Sequence, residues 1–149
     1  MKLNAVVVVA VLAAGAIATG CGSSDDNGDS TTTASLTKAE WIAKADAICR
    51  QGNQQINQAA HQQFGNQKPT AAEVQQFTAN SLIPNVQSQV DQIQALGASS
   101  GEEDQVNKIL DTVQADIDKA KSDPNAISDK TFADGNALAQ QYGLKVCGK

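Results

Sequence analysis

Three cysteines, Cys21, Cys49 and Cys147, carry most of the chemistry this sequence can offer. A thiol can be acylated, can pair with another thiol, or can act as a nucleophile when a neighbouring base or charge lowers its pKa. The third use needs a partner, and the sole histidine, His61, has Asn57, Gln58, Phe64 and Gly65 three and four positions away. None of these binds a metal or tunes an imidazole, so His61 reads as an ordinary surface or half-buried side chain. No serine stands in a Gly-x-Ser-x-Gly turn. Carboxylate pairs for acid–base hydrolysis could be drawn from Asp116 with Asp118 or from Asp91 with Asp111, but these fall on polar faces, where charge is usually solvated. Glu40, Glu73, Glu102 and Glu103 stand at helix starts, not in the inward Glu and Glu-x-x-His arrangement of a di-iron bundle. The expectation is no catalytic residue, no metal site, no cofactor and no enzyme.

Cys21 is placed by what surrounds it. Lys2 is followed by LNAVVVVAVLAAGAIA, an apolar run that ends in small residues just before Cys21, the layout of a secretory signal peptide. The run is shorter than the roughly 20 apolar residues that cross a bilayer, and a polar segment follows it, which leaves an uncleaved membrane anchor as the runner-up. Ala18-Thr19-Gly20-Cys21 resembles the lipobox of bacterial lipoproteins, with Ala18 where Leu is more usual. That resemblance implies a signal peptide over 1–20, removed after acylation of Cys21 with palmitate-type chains, and a lipid-anchored extracytoplasmic location on the cell membrane of a bacterium. An ordinary signal peptide, with Cys21 an incidental thiol, is the alternative.

Charge and composition agree with export. The whole chain carries −5 at neutral pH, one unit more negative once Lys2 leaves with the signal peptide. Such a chain does not seek nucleic acid or an anionic bilayer through its charge, so its membrane contact must come from lipid. Residues 22–35, GSSDDNGDSTTTAS, hold no large apolar side chain to offset the entropy of ordering them. The stretch 21–36 is expected to be a flexible acidic tether with a mean span on the order of 20 Å. Its DDNGD has some likeness to a calcium loop, yet no Glu stands where the twelfth, bidentate ligand belongs.

From Leu36 onward apolar residues recur at helical spacing and no strand alternation persists. Capping boxes T-K-A-E at Thr37 and T-A-A-E at Thr70 open two helices, the first reaching Phe64. The second carries a stripe of Val74, Phe77, Leu82, Val86, Val90 and Ile93, and Pro84 is expected to kink or split it over 81–84. A third helix starts after Ser99 or Ser100, Asp123-Pro124 makes a turn, and a fourth runs from about Ser128 to Tyr142 with Gly143 as its cap. The expected architecture is all-α: an antiparallel four-helix bundle over 37–149, with one domain and one disulfide. In that arrangement the end of the fourth helix lies beside the first, so the YGLKVCGK tail can bring Cys147 to Cys49. One cysteine is then left for lipid and none is free.

The block WIAKADAICRQGN, the segment LIPNVQSQVDQIQALGA and the ending LAQQYGLKVCG resemble a group of small secreted or lipid-anchored helical proteins of actinobacteria. The likeness covers most of 37–149, and its two cysteines map onto Cys49 and Cys147. It implies location, disulfide and fold, and adds no reaction. Trp41 and Tyr142 meet at the disulfide end of the expected bundle, where they could floor a cleft for a small apolar or sugar ligand or could cap the core. Three functions follow: a monomeric envelope module that binds a ligand or an envelope protein, a passive structural lipoprotein, or, last, an envelope enzyme.

Overall fold

The computed structural model describes residues 35–123, 127, 128 and 130–149. The signal peptide expected over 1–20, Cys21 with its expected acylation and most of the expected tether lie outside the described residues, as does the residue at position 124 in the expected turn. The described residues fall within one compact unit, and all regular structure among them is helical.

Helix α1, Lys38–Phe64, starts where its capping box predicts. The Thr37 hydroxyl accepts the Glu40 N–H, and the Glu40 carboxylate accepts the Thr37 N–H at 2.9 Å. Two donors that would otherwise lack partners at the helix start are thereby satisfied. Gly65, at φ +55, ends α1, and Phe64 meets Phe77 edge to face at 5.2 Å across the turn that follows. Leu36, the last residue assigned to the tether, is half-buried and packs on the core.

The second helical stretch is continuous in sequence but changes pitch. Helix α2, Ala71–Phe77, opens on the Thr70 box; a π turn, Thr78–Leu82, follows; helix α3, Ile83–Gln94, completes it. Where a kink or split was expected over 81–84, a π turn stands just ahead of Pro84. Pro84 has no N–H to give Asn80, and the Ile83 N–H reaches back five residues to the Thr78 carbonyl, widening the ring that Pro84 would crowd. Val74, placed on the apolar stripe by its spacing, is 45 % exposed, because α2 is short and has its main contacts with the π turn.

Helix α4 is Glu103–Ser122 and α5 is Ala133–Tyr142; both begin later than their spacing suggests. Ser99 does not cap α4, because its hydroxyl is buried against the Tyr142 hydroxyl, and Gly101 at φ +80 turns the chain before the helix starts. Ahead of α5, Thr131 ties back the Ser128 N–H in a polar turn. Gly143, at φ +116, is the left-handed cap expected for α5.

The principal helix contacts run from α1 to α3, α3 to α4 and α4 to α5. Trp41, near the start of α1, meets Gly97 beyond the end of α3, whereas Gln55, farther along α1, meets Asn85 near the start of α3. Two apolar clusters result. One joins Trp41, Ala45, Cys49, Ile93, Val106 and Ile109 to Ala139, Tyr142 and Leu144. The other is built on Ile83, Val90, Ile117 and Ala120 with Phe132 against it. The capping boxes give an accessible test of this frame. Thr37→Ala or Thr70→Ala is expected to lower stability by about 1 kcal/mol in thermal or urea unfolding. Glu40 and Glu73 are held below the ordinary carboxylate range by the threonine hydrogen bonds. Their contribution is therefore present above the unfolded-state value and fades as pH falls through the folded one.

Candidate functional site

The site is assembled where the last residues of the chain fold back over α1. Cys49 and Cys147 are joined, with Cα atoms 5.2 Å apart and a sequence separation of 98, as the bundle arithmetic requires. Beside this bond stands Asp46, a buried carboxylate one helical turn ahead of Cys49. Its oxygens accept the backbone N–H groups of Lys145 at 3.0 Å, Val146 at 2.8 Å and Cys147 at 3.3 Å. Three consecutive amides converging on one carboxylate form an anion nest whose anion is supplied by the protein itself. Gln140 on α5 donates to the Gly148 carbonyl and holds the tail from the other side.

Trp41 and Tyr142 are brought together as expected, edge to face with ring centroids 5.4 Å apart. Both are buried, at 0 % and 5 % exposure, and both have polar tips that are engaged. The indole N–H donates to the Gly97 carbonyl at 2.6 Å, and the phenol shares a hydrogen bond of 3.0 Å with Ser99. Lys38 covers the outer face, its ammonium 4.2 Å from the Tyr142 ring centre and 3.2 Å from Glu102. The pair therefore closes the end of the core. Tyr142→Phe strands the buried Ser99 hydroxyl and is expected to cost about 1–2 kcal/mol in urea unfolding.

Trp41 has a second role, because it lines a cavity of about 230 Å³ among α1, α3, α4, α5 and the tail, whereas Tyr142 does not. The walls are Val86, Val90 and Ile93 from α3, Ile109, Leu110 and Val113 from α4, Ala139 from α5, and Leu144 and Val146 from the tail. The disulfide itself forms part of the lining. Asn53, Gln89, Asn136 and Lys149 are its polar side chains, and no Asp or Glu is among them.

The carboxylates weighed for hydrolysis do not form such a site. Asp91 accepts from Gln87 and Asp118 from Gln114, each one turn away on its own helix, and Asp111 is exposed. Asp116 lies in a polar hollow with Asp134, Lys119 and Lys130. Partial burial, reinforced by the Asp134 charge and opposed by Lys119, raises its pKa. A raised acid contributes least once it is ionised, so Asp116→Asn is expected to leave stability at neutral pH unchanged or better by a few tenths of a kcal/mol, as read by thermal unfolding. His61 is exposed in the last turn of α1. No group of three or more His, Cys, Asp or Glu among the described residues is placed to hold a metal. No helix among them is long and apolar enough to cross a membrane.

Sequence reasoning left Asp46 and the tail cavity without a role. The signal for Asp46 was present, since it shares the apolar stripe of α1 with Ile42 and Cys49, four before and three after it. A charge on such a stripe needs a partner when buried. No family model, curated protein or solved structure matches this chain.

Proposed function

We propose that the chain is a lipid-anchored module of a bacterial cell envelope whose helical domain binds a small apolar ligand. The cavity beside the disulfide is the observation that carries the reading. Its lining is mostly aliphatic, and at about 230 Å³ it exceeds the roughly 150 Å³ apolar void that takes up benzene, while falling short of the roughly 300 Å³ at which drug-sized sites begin. An apolar ligand suits it better than a sugar, since Trp41, the aromatic wall residue with a polar group, already donates its N–H within the fold. A domain of this kind binds and releases its ligand, with no bond made or broken.

The export and anchor of this reading rest on the sequence at 18–21 and on the disulfide, a bond at home in oxidising compartments. One acyl chain holds a protein only reversibly, so stable attachment takes the two or more chains of an acylated Cys21. Cys21→Ala is expected to leave the precursor unprocessed or to release the domain into the soluble fraction; unchanged processing together with unchanged membrane attachment would reject the anchor.

Binding is followed through Trp41, the one tryptophan in the chain and a residue of the cavity wall. Benzene added to the full-length chain is expected to change Trp41 fluorescence saturably. Ala139→Leu, which pushes a larger side chain into the same space, is expected to abolish that response while the helical circular dichroism stays. A response that never saturates, or one that survives Ala139→Leu, would move the weight to a structural role or an envelope protein partner.

A further inference from the structure

A ligand that occupies the cavity has to pass between two of its walls, and the walls differ in what holds them together. The tail is fixed over α1 by the Cys49–Cys147 bond and by the backbone N–H groups that Asp46 accepts. Between α4 and α5 the backbones approach closely, since a Cβ on Gly135 would stand 2.6 Å from Val113 Cγ2. Ile93 of α3 and Ile109 of α4 share one buried cluster. Gln87 and Gln114 also join α3 to α4, through side chains that lie outside the cavity lining.

The junction of α1 with α3 is closed differently, by side-chain amides. Gln89 of α3 lines the cavity and is itself half-buried, so its side chain stands between the cavity and solvent. It lies across Gly52 of α1, where a Cβ would overlap Gln89 Cγ, Cδ and Nε2. Gln89 Nε2 donates to Asn85 Oδ1 at 2.7 Å, and Asn85 Nδ2 donates to Gln55 Oε1 at 3.3 Å. Three amides thus run from α3 to α1, and each is a rotatable side chain. Glycine inside a helix is less favourable than alanine, and at position 52 its bare backbone is what leaves room for Gln89 to cross. Neutral amide bonds facing water exchange readily with solvent, whereas a disulfide and hydrogen bonds to a buried carboxylate do not. Of these walls, the one at Gln89 opens at the least cost.

We propose that Gln89 is the gate of the cavity, with Gly52 and Asn85 as the residues that position it. Rotation of the Gln89 side chain off Gly52 breaks its bond to Asn85 and opens the α1–α3 junction to a small apolar ligand; its return closes the junction. The gate rests on the binding reading above. A gate sets the rates of entry and exit together and leaves the affinity almost unchanged, whereas a side chain that only touches the bound ligand alters the exit rate and the affinity.

The test uses benzene and the full-length chain, with Kd read from Trp41 fluorescence and the two rates from exchange broadening of the benzene NMR signal. Asn85 is outside the lining, so Asn85→Ala frees Gln89 without altering the cavity wall. Asn85→Ala and Gly52→Ala are each expected to raise both rates by about two- to tenfold, the factor that one neutral hydrogen bond gives, with Kd held within about twofold. Gln89→Ala is expected to raise both rates at least as far, and in that background neither other change should add to it. Saturable binding with unchanged rates in Asn85→Ala and Gln89→Ala would overturn the gate while keeping the apolar site. Equal effects of Asn85→Ala with and without Gln89 would also overturn it, because Asn85 would then act through the helix. Absence of saturable binding by the unaltered chain would remove the binding reading, and the gate with it.

Discussion

Replacing Cys49 or Cys147 by serine is expected to lower the stability of the helical domain by about 2–5 kcal/mol. The bond spans 98 positions of sequence, and the entropy of closing a loop of that length approaches about 4.7 kcal/mol in the chain-entropy account. A domain of this size has only about 5–15 kcal/mol in total, and aromatic residues make up 3 % of the chain, which leaves few large side chains to compensate. Either serine variant, and their combination, should show the same loss in urea unfolding, because one bond is removed in all three. Additive losses would mean that the two thiols act separately in solution. Reduction should also loosen the wall formed by Leu144 and Val146, so reduced protein should respond more weakly to benzene through Trp41.

Asp46→Ala carries the second expectation, a loss of about 3–5 kcal/mol. Three backbone N–H groups in the tail converge on this carboxylate, each hydrogen bond to a charged acceptor being worth about 1.5–3 kcal/mol before solvent takes over part of the role. Asp46→Asn keeps the shape and one acceptor oxygen but points an amide donor at the Lys145 N–H, so it should lose less than alanine and still be measurable. The two anchors hold the same segment. Asp46→Ala combined with Cys147→Ser should therefore destabilise by less than the sum of the single changes, since a tail already freed has little left to lose. A strictly additive result would show that the carboxylate and the disulfide secure different parts of the fold.

The contrast between what the sequence disclosed and what it withheld follows from the range of each interaction. Thr37 with Glu40 and Thr70 with Glu73 act over three residues, and both helix starts stand where those pairs put them. The pairing of Cys49 with Cys147 was reachable from helix count and cysteine arithmetic, because a short connection constrains which helix ends can meet. Periodicity misjudged Val74, since spacing marks an apolar face without saying whether another helix covers it. The starts of α4 and α5 were placed too early for a related reason. Ser99 is a good cap by type, and only the arrival of Tyr142, 43 residues later, draws its hydroxyl away. Asp46 and the cavity depend on a tail that reaches α1 from about 100 positions away. No local pattern reports a contact of that range, although the charge on the α1 stripe marked the place.

The central claim is that an anchored, disulfide-closed domain carries a small apolar molecule. A native, non-reducing mass determination on the chain drawn gently from its own membranes tests it directly. The account predicts a mass that starts at Cys21, includes acyl chains, lacks two hydrogens for the Cys49–Cys147 bond, and carries one further small molecule that Ala139→Leu fails to retain. A mass with no bound molecule in the unaltered chain, or with the same molecule bound just as well by Ala139→Leu, would contradict it.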